Sequence, residues 1–434
     1  MAVVAVIGGG YVGLVTAAGL ASLGHVVRVG ECDTQRVDAL RKGRIPIFEP
    51  GLERLVAKGI EADSLSFTED NTDAVAGAGF VFLTLPTPSL PDGSADTSIV
   101  ESVIEQLSGR LDTGAIVVLK STVPVGATRR FQALLAHGQA GVPVVSNPEF
   151  LREGNAVDDF LQPDRVVIGA DDHAAAQAVA QLYAPLGAPV MVMDPVSAEM
   201  VKYGSNAYLA ARITFANTLA NVCEAVDADV TAVLGAVGMD KRIGPHFLRP
   251  GPGFGGSCFP KDTQALLALS GEAGYEFRLL EAVIAADQEQ RSRIVDKVRR
   301  AVGGDLGGRT IGLWGLAFKA GTDDVRASPA VDIADALIAE GARIQAHDPE
   351  GTLKRRGLVQ VGSPTEAASG ADAVVIATEW PEFAAVALDE VAAVMQGSVI
   401  VDARNLLDPE RVVAAGLRYE GVGRRLGDRS DQSR

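Results

Sequence analysis

The chain has 434 residues, 47% of them hydrophobic, and a formal net charge of −16. That length exceeds what one hydrophobic core usually supports, so two or three domains are expected. The acidic balance argues against nucleic acid or an anionic membrane as a partner, because both require a basic face.

No uncharged apolar run of about 18 residues occurs, and the start of the chain lacks the basic region and cleavage site of a signal peptide, so a soluble cytoplasmic protein is expected. Cys32, Cys223 and Cys258 are too few for a disulfide framework and lack metal-ligand spacing. They fit a reducing compartment and imply no metal.

Short β-branched runs alternate with amphipathic stretches from the start of the chain. Val3 to Ile7, Val26 to Val29, Phe80 to Leu85, Ile116 to Leu119 and Val142 to Val145 are predicted as buried parallel strands. Strands alternating with helical patterns predict a doubly wound α/β domain over residues 1–196. After Asp194-Pro195 the pattern changes, and Ser197 to about Ala228 predicts a long helix, apolar on more than one face as a helix buried between domains or subunits would be. It opens a central helical region, residues 197–300.

The glycine-rich run Val302 to Gly308 marks a boundary loop. A second α/β pattern starts near Thr310, with Ile311 to Gly315, Ala342 to Asp348, Ala373 to Ala377 and Val399 to Asp402. The predicted fold class is therefore α/β, with two Rossmann-like doubly wound domains, the second over residues 301–420, joined by the central helices. Residues 421–434 are short, charged and glycine-containing, which predicts a disordered tail.

Val3 to Ile7 runs into Gly8-Gly9-Gly10-Tyr11-Val12-Gly13 and then an amphipathic helix ending near Gly24. Gly8 makes the turn, Gly10 lets a pyrophosphate approach the backbone, and Gly13 permits close helix packing. The helix N-terminus supplies amide donors and positive dipole to the phosphates. At the end of the second strand Glu31 is positioned to accept hydrogen bonds from the adenosine ribose, which favours NAD over NADP. Arg36, nearby, is the residue that would instead accommodate a 2′-phosphate.

Downstream stands Gly253-Phe254-Gly255-Gly256-Ser257-Cys258-Phe259-Pro260-Lys261-Asp262. A dehydrogenase that only interconverts alcohol and carbonyl needs no thiol. A cysteine can trap an aldehyde as a thiohemiacetal, offer a second hydride, and leave a thioester for water to cleave.

At this point the chain resembles the UDP-glucose/GDP-mannose dehydrogenase family along nearly its whole length. The resemblance is carried, in family order, by Gly8 to Gly13, Phe48-Glu49-Pro50-Gly51-Leu52, Pro86-Thr87-Pro88, Lys120-Ser121-Thr122-Val123-Pro124-Val125-Gly126 and Asn147 to Gly154. Glu199 to Asn206, the cysteine loop, Phe318-Lys319 with Asp324 to Ser328, and Asp402-Ala403-Arg404-Asn405 continue it. The family commonly has Asp where this chain has Glu31. In the family the second α/β half binds the nucleotide of the sugar, consistent with its lack of a complete Gly-x-Gly-x-x-Gly.

The resemblance implies NAD-dependent four-electron oxidation of UDP-glucose to UDP-glucuronate through a thioester on Cys258, in a homodimer or higher homo-oligomer. Lys241-Arg242-Ile243-Gly244 with Cys258-Phe259-Pro260 sits closer to the UDP-glucose branch than to a GDP-mannose enzyme, which is the alternative. A non-catalytic nucleotide-sugar binder would show substitutions at Cys258, Lys202, Asn206 or Asp262, and all four are present.

Lys202 and Asn206, four apart on one helix face, are implied to stabilise negative charge on the reacting oxygen. Asp262 is implied to hold or activate a water; beside the cysteine it would raise the thiol pKa, so Lys202 or Lys261 must offset it. The resemblance implies that Thr122, Glu149 and Glu153 line the same pocket, with Thr122 and a carboxylate holding a water that accepts a proton, Glu149 assisting thioester hydrolysis, and Glu153 alternatively orienting Lys202 or a water.

The implied cofactor contacts are Gly8, Gly10, Tyr11, Val12, Gly13, Glu31, Arg36, Pro86, Thr87, Thr122, Glu153, Lys261 and Arg326. For the substrate they are Glu149, Phe150, Leu151, Glu153, Lys202, Asn206, Phe247, Arg249, Gly255, Cys258, Lys319 and Arg404, with Arg242 from a neighbouring subunit. Arginine suits a diphosphate because its planar fork donates two parallel hydrogen bonds.

Overall fold

A computed structural model describes residues 1–424. The chain forms two compact units, one of Met1–Ser205 with Gln264–Tyr275, the other of Asn206–Thr263 with the residues from Glu276 onward.

The first unit is built on eight strands: β1 (Val3–Ile7), β2 (Val26–Gly30), β3 (Leu65–Thr68), β4 (Phe80–Leu83), β5 (Ile116–Leu119), β6 (Val144–Ser146), β7 (Val166–Gly169) and β8 (Val190–Met193). Their order is β3-β2-β1-β4-β5-β6-β7-β8. All neighbours are parallel except β6 and β7, which meet antiparallel at Ser146 and Gly169.

Side chains alternate across a strand, and both faces of this sheet are covered. Val4 and Val6 of β1 belong to one core with Leu14, Val27, Val29 and Phe160, while Ala5 and Ile7 belong to the other with Val81, Leu83, Val117 and Phe131. Two buried faces explain why the central strands read as continuous apolar runs, each full-sized side chain contributing about 1.5–3 kcal/mol by leaving water. At one edge β8 is different: Val190, Met191 and Val192 are 39%, 51% and 38% exposed.

The second unit holds β9 (Thr310–Trp314), β10 (Arg343–His347), β11 (Leu358–Gln360), β12 (Ala373–Ile376), β13 (Val399–Asp402) and β14 (Arg418–Gly421). The order is β11-β10-β9-β12-β13-β14, and every pair is parallel. Helix Pro195–Val226 runs for 32 residues, and its later half places Ala216, Ala220 and Cys223 in the core beneath this sheet with Ile294, Val298, Ile311 and Leu313.

The predicted tail begins too early. Strand β14 runs to Gly421, Val422 is buried, and the Gly423 carbonyl accepts the Val230 amide at 3.0 Å. Tyr419 and Val422 supply the apolar surface that keeps this segment packed; residues 425–434 of the predicted tail lie outside the described residues. No helix among the described residues is long and apolar enough to cross a membrane.

Candidate active site

The predicted site residues divide between the two units. In the first, β1 ends at Gly8, whose φ of +107° suits glycine, and a β-carbon there would stand 2.8 Å from the Thr84 carbonyl oxygen. The helix Tyr11–Ser22 starts directly afterwards. A methyl at Gly13 would overlap the Gly8 carbonyl oxygen, whereas at Gly10 it would meet nothing within 4 Å. The cradle is therefore tight where the chain packs and open where a pyrophosphate would approach, which fits a dinucleotide.

Glu31 follows β2 and is buried. Its Oε2 accepts the Gly9 amide at 3.0 Å and pairs with Arg36 Nη1 at 3.2 Å, and its Oε1 accepts the Asp33 amide at 3.0 Å. Burial pushes its pKa up, but the Asp33 and Gly9 amides and the Arg36 guanidinium outweigh that and hold it below the usual carboxylate range. Arg36 is thus engaged with the carboxylate expected from the sequence to face the ribose.

Tyr11 gives its hydroxyl hydrogen to Glu49 and accepts the Gly154 amide at 3.0 Å. Glu49 also accepts the amides of Gly154 and Ala156 at 2.6 and 2.8 Å, so it ties the cofactor loop to the N-terminus of the helix Ala156–Leu161. That accounts for the Phe48-Glu49-Pro50 motif. Buried Thr87 donates to the Thr122 carbonyl at 2.8 Å, joining the two loops that follow β4 and β5.

Lys202 and Glu149 meet in a buried ion pair. Lys202 Nζ donates to Glu149 Oε1 at 2.7 Å and to the Glu149 carbonyl at 2.9 Å, and Glu149 Oε2 accepts the Leu151 amide at 2.6 Å. Burial would raise the carboxyl pKa, but the Lys202 charge, its hydrogen bond, the Leu151 amide and the Lys120 charge together lower it. Acting as a base therefore requires Glu149 to leave Lys202. Phe150, between them in sequence, carries the Arg165 guanidinium 3.7 Å from its ring centroid and Lys202 Nζ at 5.7 Å. Glu153 is buried in the same loop.

The second unit holds the cysteine loop. Cys258 is half-buried and precedes the helix Phe259–Glu272, its carbonyl accepting the Asp262 amide at 2.8 Å. The positive end of that helix favours an anion at the sulfur. Asp262 is fully buried; its Oδ2 accepts Asn206 Nδ2 and its Oδ1 accepts Lys261 Nζ, both at 2.6 Å.

Helix Arg278–Ala301 holds the loop's backbone. Asp287 Oδ1 accepts the Phe254 amide at 2.8 Å, Arg291 donates to the Phe254 carbonyl at 2.9 Å, and Gln290 donates to the Gly251 carbonyl at 2.9 Å. Asn217 accepts the Gly251 amide at 2.7 Å. Burial pushes the Asp287 carboxyl up to about 6 although Arg291 pairs with it. A β-carbon at Gly255 would collide with the Ala327 carbonyl oxygen, and one at Gly256 would meet the Phe318 ring, so the loop's glycines are packing requirements.

The remaining candidates differ in their settings. Arg404 lies against the loop that follows β9, donating to the carbonyls of Phe318 at 2.6 Å and Ala377 at 2.8 Å. Lys319 sits 5.9 Å from the Phe318 ring centroid. Phe247, at φ +59°, packs edge-on against Phe259 with centroids 6.3 Å apart. Arg326 forks onto Asp324, Arg249 is exposed, and Arg242 is 89% exposed and paired with Asp240.

Glu49, Asn147, Tyr183, Asp287 and Arg291 were not assigned from sequence, nor was Lys120. The available signal was position: Lys120 and Asn147 are polar residues at the carboxyl ends of apolar strands in a parallel sheet, where ligands bind.

Three family models match the chain: the NAD binding domain of the UDP-glucose/GDP-mannose dehydrogenase family at residues 2–187, its central domain at 196–289 and its UDP binding domain at 312–409. The UDP-glucose 6-dehydrogenase of Pseudomonas aeruginosa is 43% identical, with 96% of this chain and 97% of that protein covered. UDP-glucose 6-dehydrogenase TuaD of Bacillus subtilis is also 43% identical, with 97% and 93% covered. Among solved structures, a UDP-glucose dehydrogenase from Pyrobaculum islandicum superposes with a TM-score of 0.90 at 39% identity, covering 98% of each chain.

Proposed function

The chain belongs to the UDP-glucose/GDP-mannose dehydrogenase family and is an NAD-dependent oxidoreductase; from that premise we propose that it oxidises UDP-glucose to UDP-glucuronate through a thioester on Cys258. The observation that supports this most is the cysteine loop itself. Its backbone is bound on both sides by Asp287, Gln290, Arg291 and Asn217, and its cysteine opens a helix carrying Lys261 and Asp262. An alcohol–carbonyl dehydrogenase has no need of such a thiol.

Gly8, Gly10, Gly13 and Glu31 would hold NAD, with Tyr11, Thr87 and Thr122 beside them. When bound, NAD+ supplies the hydride acceptor, once for the alcohol and once for the thiohemiacetal. Lys202 and Asn206 oppose negative charge on the substrate oxygen. The Cys258 thiolate adds to the aldehyde carbon, and its oxygen takes up a proton; loss of hydride from that carbon, with return of the hydroxyl proton to solvent, leaves the thioester. Asp262 holds a water against the thioester, and Glu149, on releasing Lys202, accepts the proton as water attacks. Lys319 and Arg404 take the diphosphate.

The protein acts as a cytoplasmic homodimer. Tyr208, Phe215 and Val222 are 64%, 55% and 52% exposed and, seven residues apart, form one apolar stripe on helix Pro195–Val226. The exposed Arg242 supports a role toward a neighbouring subunit.

Exhaustive turnover of UDP-glucose is expected to yield two NADH per UDP-glucuronate, with a mass adduct on Cys258 in rapid-quench samples. One NADH per sugar with aldehyde released rules the thioester route out, and preference for GDP-mannose in a substrate panel moves the chain to the other branch of the family.

A further inference from the structure

The first unit buries one cation that the chemistry above does not use. Lys120 follows β5, is only 6% exposed, and is offered neutral acceptors: Asn147 Oδ1 at 3.2 Å and the Tyr183 hydroxyl at 3.5 Å. Those acceptors are themselves locked. Tyr183 donates to Asn147 Oδ1 at 2.6 Å, and Asn147 Nδ2 donates to the Val167 carbonyl of β7 at 2.8 Å. No carboxylate pairs with Lys120 among the described residues.

A buried ammonium with no carboxylate hydrogen-bonded to it is costly. Burial, opposed by the Glu149 charge and reinforced by the Lys202 charge, brings its pKa down to about 8. With Tyr183, these are the titratable groups that face it: Glu149 from the loop after β6, Lys202 from the long helix, and Tyr183 from the end of helix His173–Leu182.

Lys202 and Glu149 nearly cancel as an ion pair at 2.7 Å. Lys120 is the third charge, and it adds a further positive charge beside this buried pair. We propose that Lys120 is a positioning residue for oxidation of the hydroxymethyl group: acting through the Lys202–Glu149 pair, it adds positive potential that stabilises the oxyanion developing on the substrate. In a low-dielectric interior an added charge acts more strongly than it would in water. The same ammonium also anchors Asn147, two residues before Glu149, and so holds the strand end from which the carboxylate projects.

This rests on the reading of Lys202 and Glu149 as groups of the reacting site. The test is the pH profile of kcat on UDP-glucose at saturating NAD for wild type, Lys120→Met and Tyr183→Phe, with circular dichroism melts to establish folding. Lys120 loses its proton near pH 8, so wild-type kcat is expected to fall about tenfold through a limb there, the size of a one-unit electrostatic effect.

Lys120→Met is expected to lack that limb and to run at the lower rate throughout. Tyr183→Phe keeps the charge but removes one acceptor, so its limb is expected about half a unit lower. A limb persisting near pH 8 in Lys120→Met, or unmoved in folded Tyr183→Phe, overturns the proposal, and the tyrosine variant decides alone if the methionine variant does not fold. Absence of wild-type turnover overturns the functional reading and this proposal with it. Turnover with two NADH per sugar and an unmoved limb overturns this proposal alone.

Discussion

The two sheets start alike and end in opposite uses of the same backbone. In each, the first strand runs into a glycine with positive φ, Gly8 at +107° and Gly315 at +100°, and a threonine after the neighbouring strand closes against it, Thr84 or Thr378. In the first unit the helix begins at Tyr11, directly after that turn. In the second it begins only at Pro329, and the intervening segment carries Phe318, Lys319 and Arg326.

The acid after the second strand differs as well. Glu31 takes one amide of its glycine turn, that of Gly9. Asp348 takes the amides of Leu316 at 2.6 Å and Ala317 at 2.9 Å, the Trp380 indole at 3.2 Å, and the amides of Glu350 and Gly351 at 3.0 and 2.7 Å. One topology thus leaves its donors for a ligand in the first unit and spends them on the fold in the second. In the second the Leu316 and Ala317 amides are already taken.

Gly13→Val breaks the contrast most severely. The added side chain overlaps the Gly8 carbonyl, and NAD affinity measured by calorimetry is expected to fall at least about 1,000-fold, roughly 4 kcal/mol, while UDP affinity stays within about twofold. Loss of both affinities would show that the two nucleotide sites do not work separately.

Asp348→Ala sharpens it from the other side. Five donors lose their acceptor, four of them on the buried residues Leu316, Ala317, Gly351 and Trp380, so unfolding in denaturant is expected to be about 3 kcal/mol easier without any ligand. A change below about 1 kcal/mol would mean that the second turn is not held by its acid.

The smallest expected effect is at Glu31. Wild type is expected to favour NAD over NADP by about tenfold in kcat/KM, near 1.4 kcal/mol, because the ionised carboxylate repels a 2′-phosphate. Glu31→Gln retains an acceptor oxygen and should bring the ratio close to one. An unchanged ratio would give the ribose pocket to Arg36.

The parts of this fold legible in the sequence are those buried on two faces. The central strands β1, β4, β5, β9, β12 and β13, together with β2 and β6, appear as apolar runs because covering helices demand apolar residues on both sides, whereas β10 alternates, burying Ile344 and Ala346. All four edge strands, β3, β8, β11 and β14, escaped notice, as did β7. Leu65–Thr68 and Leu358–Gln360 mix polar and apolar residues, as half-covered edges do.

The site shows a similar division. Cys258, Lys202, Asn206 and Asp262 stand in motifs whose spacing carries chemistry. The Asn206–Asp262 contact spans 56 residues, and the Lys120–Tyr183 contact 63; nothing local announces either. Glu149 illustrates the remainder: its acid is visible, but the lysine that quenches its basicity is 53 residues away.

The exposed strand β8 has a consequence for the protein as a colloid. A four-residue apolar edge, Val190–Met193, presents unpaired amides and carbonyls to any extended chain that drifts past. Pro189 precedes it and Pro195 follows two residues beyond its end, and a ring that lacks an N–H cannot extend the ladder, so the sticky template is bracketed by natural gatekeepers. Long-range repulsion from the net charge of −16 supplies the rest of the protection, and it vanishes as acidification brings the molecule toward its isoelectric point. Storage buffers well above that point, at low rather than high salt, will keep concentrated solutions clear.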